Sequence, residues 1–262
     1  MVLHFILKPA RFFLFLTFFV IVFGICSLET SANIKEVREK GIAFSGLILP
    51  PASGHKPDSI VVLFHGYGDT AENFLFLSAS WAEFLPNTLF VALEGPIACK
   101  NIPAGKQWLR ASSKNRDQLL KEIKLLTASL NRYLDGLLKT YGLSPQKLAL
   151  VGFSQGSRVA LHVGLRRPLC AGVVGFSGAF LDDPTDLRLS RPPVLLIHGV
   201  EDTKAPSSLA RESYKSLEAL HVPVTLFLMP GLGHDIDPRG SAIAGEFLND
   251  CFSGKIKDKL KS

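Results

Sequence analysis

The sequence predicts a three-layer α/β fold, in which helices cover both faces of a mostly parallel central sheet. Several short segments are nearly continuous runs of Val, Leu, Ile and Phe, which is typical of strands buried on both faces. Amphipathic segments separate them, and the resulting βαβα order favours a parallel sheet. The length of 262 residues, 47% of them hydrophobic, suits one sizeable domain. The predicted strands are residues 44–49, 60–64, 88–93, 148–152, 171–176, 194–198 and 224–229.

The predicted helices fill the intervals between these strands. The clearest spans residues 117–141, where apolar residues recur every three or four positions and Gly142 provides a stop. The other predicted helices are residues 71–84, 155–166, 207–220 and 241–252. Ligands of parallel sheets gather at the carboxyl ends of the strands, so we expect the functional residues there.

Residues 1–32 form a separate segment with the layout of a secretory signal. Lys8 and Arg11 precede an apolar run over residues 12–26, and small and polar residues follow it up to Ala32. The pattern predicts cleavage after Ala32 and export to the periplasm or the medium. A membrane anchor through an uncleaved segment 1–32 is the alternative, although the run is shorter than the ~18 to 20 residues that a spanning helix needs. A lipid-modified Cys26 is a further alternative. Residues 33–262 are then a single domain.

Charge and cysteine content exclude several classes of protein. The formal net charge of +6 is modest, and its Lys-rich tail at residues 255–261 is typical of a solvated helix end, so no nucleic-acid partner is predicted. The spacing of Cys99, Cys170 and Cys251 indicates no metal site and allows at most one internal disulfide. We predict neither a metal nor another cofactor. The oligomeric state is left open.

A nucleophile is predicted at Ser154, within the sequence Gly152-Phe153-Ser154-Gln155-Gly156. This Gly-x-Ser-x-Gly pattern follows one predicted strand directly and opens the next predicted helix. A sharp strand-to-helix turn lifts the Ser hydroxyl above the sheet, and the flanking glycines remove Cβ atoms that would collide there.

A serine nucleophile needs a base, and the base needs a carboxylate that orients it. On this type of turn the acid and then the base follow at the ends of later strands. Asp202 follows strand 194–198 and His234 follows strand 224–229, so these two are the predicted partners. Competing acids are Glu201, Asp182, Asp183, Asp186, Asp235 and Asp237. Of the other histidines, His55, His162, His198 and His221 are interpreted as surface or packed structural residues.

An oxyanion hole is predicted from two backbone N–H groups. One belongs to Gln155, the residue after the nucleophile, and the other to the loop after strand 60–64, where Tyr67 is the best candidate. His65 in the same loop is interpreted as a brace, with a direct catalytic role as the alternative.

The substrate is expected to meet an open site. Only residues 177–192 connect two strands near Ser154, which leaves no room for a large lid domain. The long connection 94–116 carries Trp108 and Ile102, which we predict to form an acyl-binding wall, with packing against the core as the alternative for Trp108. Leu75, together with Phe76 on the first predicted helix, is a second candidate for acyl contact.

The stretches HGYGD, QWL, GFSQG, HGVEDTKAP and GLGHDIDPRG resemble those of the phospholipase/carboxylesterase family of α/β hydrolases, which includes the acyl-protein thioesterases. The resemblance spans residues 61–240. It implies hydrolysis of carboxylic esters or thioesters without a cofactor, with Ser154, Asp202 and His234 as the triad and Tyr67 and Gln155 as oxyanion donors. Tyr67 stands where many thioesterases have Leu, as in bacterial members. We therefore expect a carboxylesterase for short to medium acyl chains, lysophospholipids included. A non-catalytic binding protein on this fold, a lipase or a peptidase are the rivals.

Overall fold

The central sheet is the element that organises the described part of the chain. The computed structural model describes residues 32–39, 42–110, 115–183 and 189–256. Its strands are β1 (Ala32–Glu39), β2 (Ile42–Leu49), β3 (Ser59–Phe64), β4 (Thr88–Leu93), β5 (Ile97–Ala98), β6 (Lys106–Gln107), β7 (Leu148–Phe153), β8 (Gly172–Phe176), β9 (Val194–Gly199) and β10 (Val224–Met229).

The sheet has eight strands in the order β1-β2-β4-β3-β7-β8-β9-β10, and β5 and β6 form a separate small hairpin. From β4 to β10 all neighbouring strands are parallel, whereas β1, β2 and β4 pair in antiparallel fashion. The seven predicted strands are thus observed and the predicted mostly parallel sheet is confirmed. Strand β1 and the short hairpin were not predicted.

Helices cover both faces of the sheet, as the sequence predicts. They are α1 (Ala71–Trp81), α2 (Arg116–Tyr141), α3 (Gln155–Leu165), α4 (Ser208–Ala219) and α5 (Pro238–Ser253). Gly142 ends α2 in the left-handed conformation. Side chains of α2, α3 and α4 pack on one face with Ile60 and Val62, and those of α1 and α5 pack on the other with Val61 and Leu63. Successive side chains of β3 therefore point alternately into two separate cores.

The two buried cysteines lie in different cores. Cys170 packs in the first and Cys251 in the second, on opposite faces of the sheet, and both are free thiols, as is Cys99. Burial raises the pKa of Cys170 to about 12, so its thiol stays protonated at neutral pH. The disulfide that the sequence left open is absent among these three described cysteines.

The amino-terminal predictions lie outside the described residues. Contacts divide the chain into residues 1–31 and 32–262, and the described residues all belong to the second unit. In the described ranges, no helix combines the length and the apolar character that crossing a membrane requires. The carboxyl ends of β3, β7, β9 and β10 bear the loops described next, and no helical insertion covers them within the described residues of the β8–β9 connection.

Candidate active site

Ser154 occupies a strained turn between β7 and α3. Its φ of 54° and ψ of −113° are unfavourable for a residue with a side chain, and they lift the hydroxyl away from the strand. A Cβ on Gly152 would come within 2.2 Å of the Gly156 carbonyl oxygen, and one on Gly156 within 2.0 Å of the Phe64 oxygen. Both glycines are therefore required for the close approach of β7, α3 and β3.

The structure brings Ser154, His234 and Asp202 into a hydrogen-bonded line. His234 Nε2 lies 3.0 Å from Ser154 Oγ, and His234 Nδ1 lies 2.7 Å from Asp202 Oδ2. Because an ionised carboxylate only accepts, Nδ1 carries the imidazole proton and Nε2 is free to accept the hydroxyl proton of Ser154. This arrangement can deprotonate the serine as it attacks a carbonyl carbon.

Asp202 is held as a buried, ionised carboxylate. Burial opposes its ionisation, but the backbone N–H of Ala205 and the hydrogen bond and charge of His234 outweigh burial and lower the pKa of Asp202. Asp202 Oδ1 accepts from the backbone N–H groups of Lys204 at 2.9 Å and Ala205 at 2.8 Å. Oδ2 is thereby left for His234.

The competing acids have other surroundings. Glu201 and Asp235 are exposed, and Asp237 accepts from the Gly240 N–H as the cap of α5. Asp183 pairs with Lys124 at 2.6 Å, and the backbone oxygen of Asp182 accepts a hydrogen bond from Arg116. Asp186 lies outside the described residues.

The predicted oxyanion donors lie on two sides of Ser154. Gln155 is the first residue of α3, so its backbone N–H has no acceptor within the helix. Tyr67 follows buried Gly66 in the loop after β3, and its N–H donates to no group in the described ranges. The two amides can receive the negative oxygen of a tetrahedral intermediate.

Known proteins are similar to this chain in sequence and in fold. Residues 49–252 match the family model described as Phospholipase/Carboxylesterase. The chain belongs to the phospholipase/carboxylesterase family. It is 28% identical over 198 residues to Esterase YpfH of Escherichia coli strain K12, covering 75% of this chain and 84% of that protein. It is 26% identical to Acyl-protein thioesterase 1 of Gibberella zeae over 211 residues, 73% of this chain and 89% of that one.

A solved structure gives the same result. The crystal structure of esterase PE8 superimposes with a TM-score of 0.74 at 33% identity, covering 79% of this chain and 99% of that chain. The Bacillus cereus carboxylesterase, at 16% identity and a TM-score of 0.66 over 86% of this chain and 96% of that chain, shows the α/β-hydrolase fold alone. Members of the phospholipase/carboxylesterase family are carboxylic ester hydrolases, and this chain is an enzyme of that class.

The remaining histidines have distinct surroundings. His55 and His221 are exposed, and buried His162 contacts Thr127 at 2.8 Å. His65 is fully buried and bridges two loops, because its Nδ1 donates to the Gly66 oxygen at 2.7 Å while Nε2 accepts from Gly95 N–H at 2.9 Å. Burial lowers the pKa of His65, with the Gly66 hydrogen bond and the Glu94 charge opposing it. These contacts favour the bracing interpretation of His65.

The loop after β3 that carries Tyr67, residues 65–69, is called the oxyanion loop after its predicted role. It is hydrogen-bonded to β6 and to the segment that follows β6, a connection that the sequence did not predict. The Gly68 N–H donates to the Lys106 oxygen at 2.8 Å, and the Lys106 N–H donates to the Asp69 oxygen at 3.0 Å. Trp108 Nε1 donates to the His65 oxygen at 2.9 Å. The loop carrying Tyr67 is thus tied by three hydrogen bonds to Lys106 and Trp108.

The side chain of Gln155 closes the same network from α3. Its Oε1 accepts from the Trp108 N–H at 2.7 Å, and its Nε2 donates to the Leu109 oxygen at 3.0 Å. The side chain of Gln155 therefore holds the segment that is hydrogen-bonded to the loop carrying Tyr67, and its backbone N–H remains available as the predicted oxyanion donor. The adjacent placement of Gln155 in GFSQG and Trp108 in QWL is not readable from the sequence.

The predicted acyl-binding residues differ in how far they are exposed. Trp108 is 2% exposed and packs on Phe64 and His65, with ring centroids 5.2 and 5.3 Å away. The prediction that Trp108 forms an acyl-binding wall is therefore wrong, and its alternative, packing against the core, describes the structure. Ile102 is 37% exposed; its Cδ1 would lie 2.5 Å from a Cβ on Gly68, and it borders a cavity of about 420 Å³ within residues 98–106. Leu75 is half-buried against the second core.

Two further features concern metals and His234. Within the described ranges, no group of three or more His, Cys, Asp or Glu side chains is placed to hold a metal ion. The ring of Phe153 lies 4.9 Å from that of His234, and a Cβ on Gly66 would lie 3.0 Å from Phe153 Cδ1. Phe153 therefore packs between the oxyanion loop and the predicted base.

Proposed function

We propose that this chain is a serine carboxylesterase that hydrolyses esters or thioesters of short to medium acyl chains, lysophospholipids among them. The observation that carries the proposal is the line of Ser154 Oγ, His234 and Asp202 at 3.0 and 2.7 Å. A binding protein would have no need for a serine in a strained turn with a base at hydrogen-bond distance.

The mechanism has two half-reactions. His234 Nε2 takes the proton of Ser154 Oγ as the oxygen attacks the acyl carbonyl, and Asp202 holds the imidazole and stabilises its protonated form. The N–H groups of Tyr67 and Gln155 bind the oxyanion. The alcohol or thiol leaves with the proton from His234, and the serine is left acylated. Water then attacks the acyl-enzyme with His234 again as the base, which releases the acid.

The open edge supports a wide range of leaving groups. Tyr67, at 55% exposure, and Ile102 provide apolar surface beside the oxyanion loop for the acyl chain. Each buried CH₂ contributes up to about 0.8 kcal/mol, which is roughly fourfold in kcat/KM. A lipase would need a lid and a peptidase an added specificity domain, and neither is present in the described ranges.

The decisive experiment combines covalent labelling with turnover. A fluorophosphonate probe should label the protein, and the protein should hydrolyse a panel of p-nitrophenyl esters, acyl-thioesters and lysophospholipids. Ser154→Ala should abolish labelling and lower turnover at least ~10³-fold. Ser157→Ala is the matched control, because Ser157 is buried one turn further along α3. Undiminished labelling of Ser154→Ala would move the nucleophile elsewhere.

We also propose that the enzyme acts outside the cytoplasm, on the support of the sequence pattern in residues 1–32 alone. Sequencing the amino terminus of the protein from its native envelope fraction should find Asn33 first. Intact Met1 in the membrane pellet would favour the anchor through residues 1–32, and intact Met1 in the cytosol would refute both forms of export.

A further inference from the structure

The predicted catalytic acid touches a second histidine. His198, at the end of β9, is 1% exposed, and its Nε2 lies 3.2 Å from Asp202 Oδ2 and 2.7 Å from the Ala205 backbone oxygen. The same Oδ2 is 2.7 Å from His234 Nδ1. Two imidazoles therefore converge on one carboxylate oxygen.

The direction of these contacts follows from their chemistry. A carbonyl oxygen and a carboxylate oxygen both only accept, so Nε2 of His198 carries the proton. It donates to the Ala205 oxygen at 2.7 Å and makes an electrostatic contact with Asp202 Oδ2 at 3.2 Å. Nδ1 of His198 is buried and has no hydrogen-bond partner in the described ranges. A proton placed on Nδ1 would have no acceptor there, so the structure favours the tautomer with its proton on Nε2.

We propose that His198 is a positioning residue for the catalytic acid, which holds Asp202 Oδ2 in line with His234 and closes the turn between Gly199 and Ala205. The inference rests on the proposed function, since it assigns a supporting role within that triad. His198 does not touch the substrate or the reacting atoms.

The donors around Asp202 show why this support matters. Oδ1 is fixed by the N–H groups of Lys204 and Ala205, which belong to the turn itself. Oδ2 accepts a hydrogen bond from His234, whose charge changes during the reaction, and also contacts His198, whose charge does not change. Without His198 the turn loses its link from Ala205 back to β9, and the carboxylate can rotate away from His234. A misplaced carboxylate leaves the imidazole free to adopt the wrong orientation.

The pH profile provides a readout that a purely structural role would not change. The titratable groups in contact with Asp202 are His234 and His198; Glu201, Lys204 and Asp235, which flank Asp202 and His234, are exposed. A carboxylate that has rotated away stabilises protonated His234 less. The acidic limb of the pH profile of kcat/KM should therefore move to lower pH.

The test compares three substitutions in the full-length protein. His198→Gln can place an amide N–H where Nε2 lies, His198→Asn is too short to reach that point, and His198→Leu removes the donor. We expect Leu and Asn to lower kcat about 10- to 100-fold with KM changed less than about twofold, and to move the acidic limb to lower pH. Gln should restore most of kcat and the wild-type limb.

The matched control is His162→Leu, which removes another fully buried histidine without touching Asp202. It should leave the limb in place. A folded His198→Leu enzyme with the wild-type limb overturns the inference, and so does an Asn variant equal to the Gln variant. If His198→Leu does not fold, the comparison of Asn with Gln decides. Wild-type protein that hydrolyses no ester in the panel refutes the proposed function, and this inference with it.

Discussion

Trp108 provides the sharpest test of how the active site is built. The sequence predicts that Trp108 contacts the acyl chain. In the structure Trp108 is buried beside the oxyanion loop, and its Nε1 donates to the His65 oxygen. Trp108→Phe keeps most of the ring packing on Phe64 and removes this hydrogen bond. The structure therefore predicts a loss of activity that does not depend on acyl-chain length.

The magnitude follows from the contact that is lost. Leaving the buried His65 oxygen without this donor costs about 1 to 3 kcal/mol, and Trp108→Ala, which also opens a cavity, costs about 3 to 5 kcal/mol of unfolding free energy. If the loop no longer holds the Tyr67 N–H at the oxyanion, the loss in kcat approaches ~10²- to 10³-fold, the effect of removing one oxyanion donor. For Trp108→Phe we expect a drop of roughly 10- to 100-fold for every ester.

The assay measures kcat/KM for p-nitrophenyl esters from acetate to decanoate. In Trp108→Phe the ratio between any two chain lengths should match that of the wild type within about twofold, since a 2% exposed side chain makes no contact with the acyl group. Ile102→Ala is the comparison, because Ile102 is 37% exposed and its loss should flatten the chain-length dependence. A Trp108→Phe enzyme that keeps its acetate activity and loses discrimination between chains would refute this reasoning.

Three further predictions concern the other supports of the site. Asp202→Asn should lower kcat by roughly 10³- to 10⁴-fold in steady-state assays, because an amide does not hold the reactive tautomer of His234. Gln155→Glu should lower the unfolding free energy in urea by about 1 to 3 kcal/mol, because its carboxylate would face the Leu109 oxygen at the site where Nε2 donates. Burial, followed by the Arg166 charge, lowers the pKa of His162 to about 3 from its ordinary value of 6.5. As the pH falls below 6.5, His162 therefore binds a proton in the unfolded chain but not in the native protein. Stability should therefore fall by about 2 kcal/mol between pH 7.5 and 5 from His162 alone, and His162→Asn should lose that part of the dependence.

The parts of the fold that the sequence predicted are those that a local pattern determines. Buried parallel strands are uniform apolar runs, so β3, β4 and β7 to β10 were recognisable from residue type. Strand β1, with the sequence ANIKEVRE, was not, because it is an edge strand rich in charge whose pairing shifts between Ile34 and Val37. The shift breaks the alternation on which recognition of a strand depends.

The residues of the candidate site likewise divide into those that a local sequence pattern predicts and those that it does not. Ser154, Asp202 and His234 were readable because Ser154 follows β7 directly, Asp202 and His234 lie in the loops after β9 and β10, and parallel strands end at one edge. The role of Trp108 was not readable, because an aromatic residue in a long loop has the same sequence signal whether it faces the solvent or the core. The contact of His198 with Asp202 had a signal in its four-residue spacing at a strand end, but the direction of its side chain depends on the turn that brings Ala205 back to Nε2.

The site is assembled from two halves that meet at Ser154. Phe153, Phe176, Ile197 and Phe227 pair in register across β7 to β10, so the loops that carry Asp202 and His234 start at the level of the nucleophile. The oxyanion loop belongs instead to β3, on the other side of β7. Trp108 and His198 thus support different halves and share no hydrogen-bond partner.

Effects of substitutions at such separate positions usually add in free energy. The double variant Trp108→Phe, His198→Leu should therefore lose activity by the product of the two single losses within about twofold, and its acidic limb should sit where that of His198→Leu sits. Steady-state kinetics across pH on the four proteins measures both. If the double variant is no slower than the less active of the two single variants, both substitutions disable one common unit. The division of the site into two halves would then be wrong.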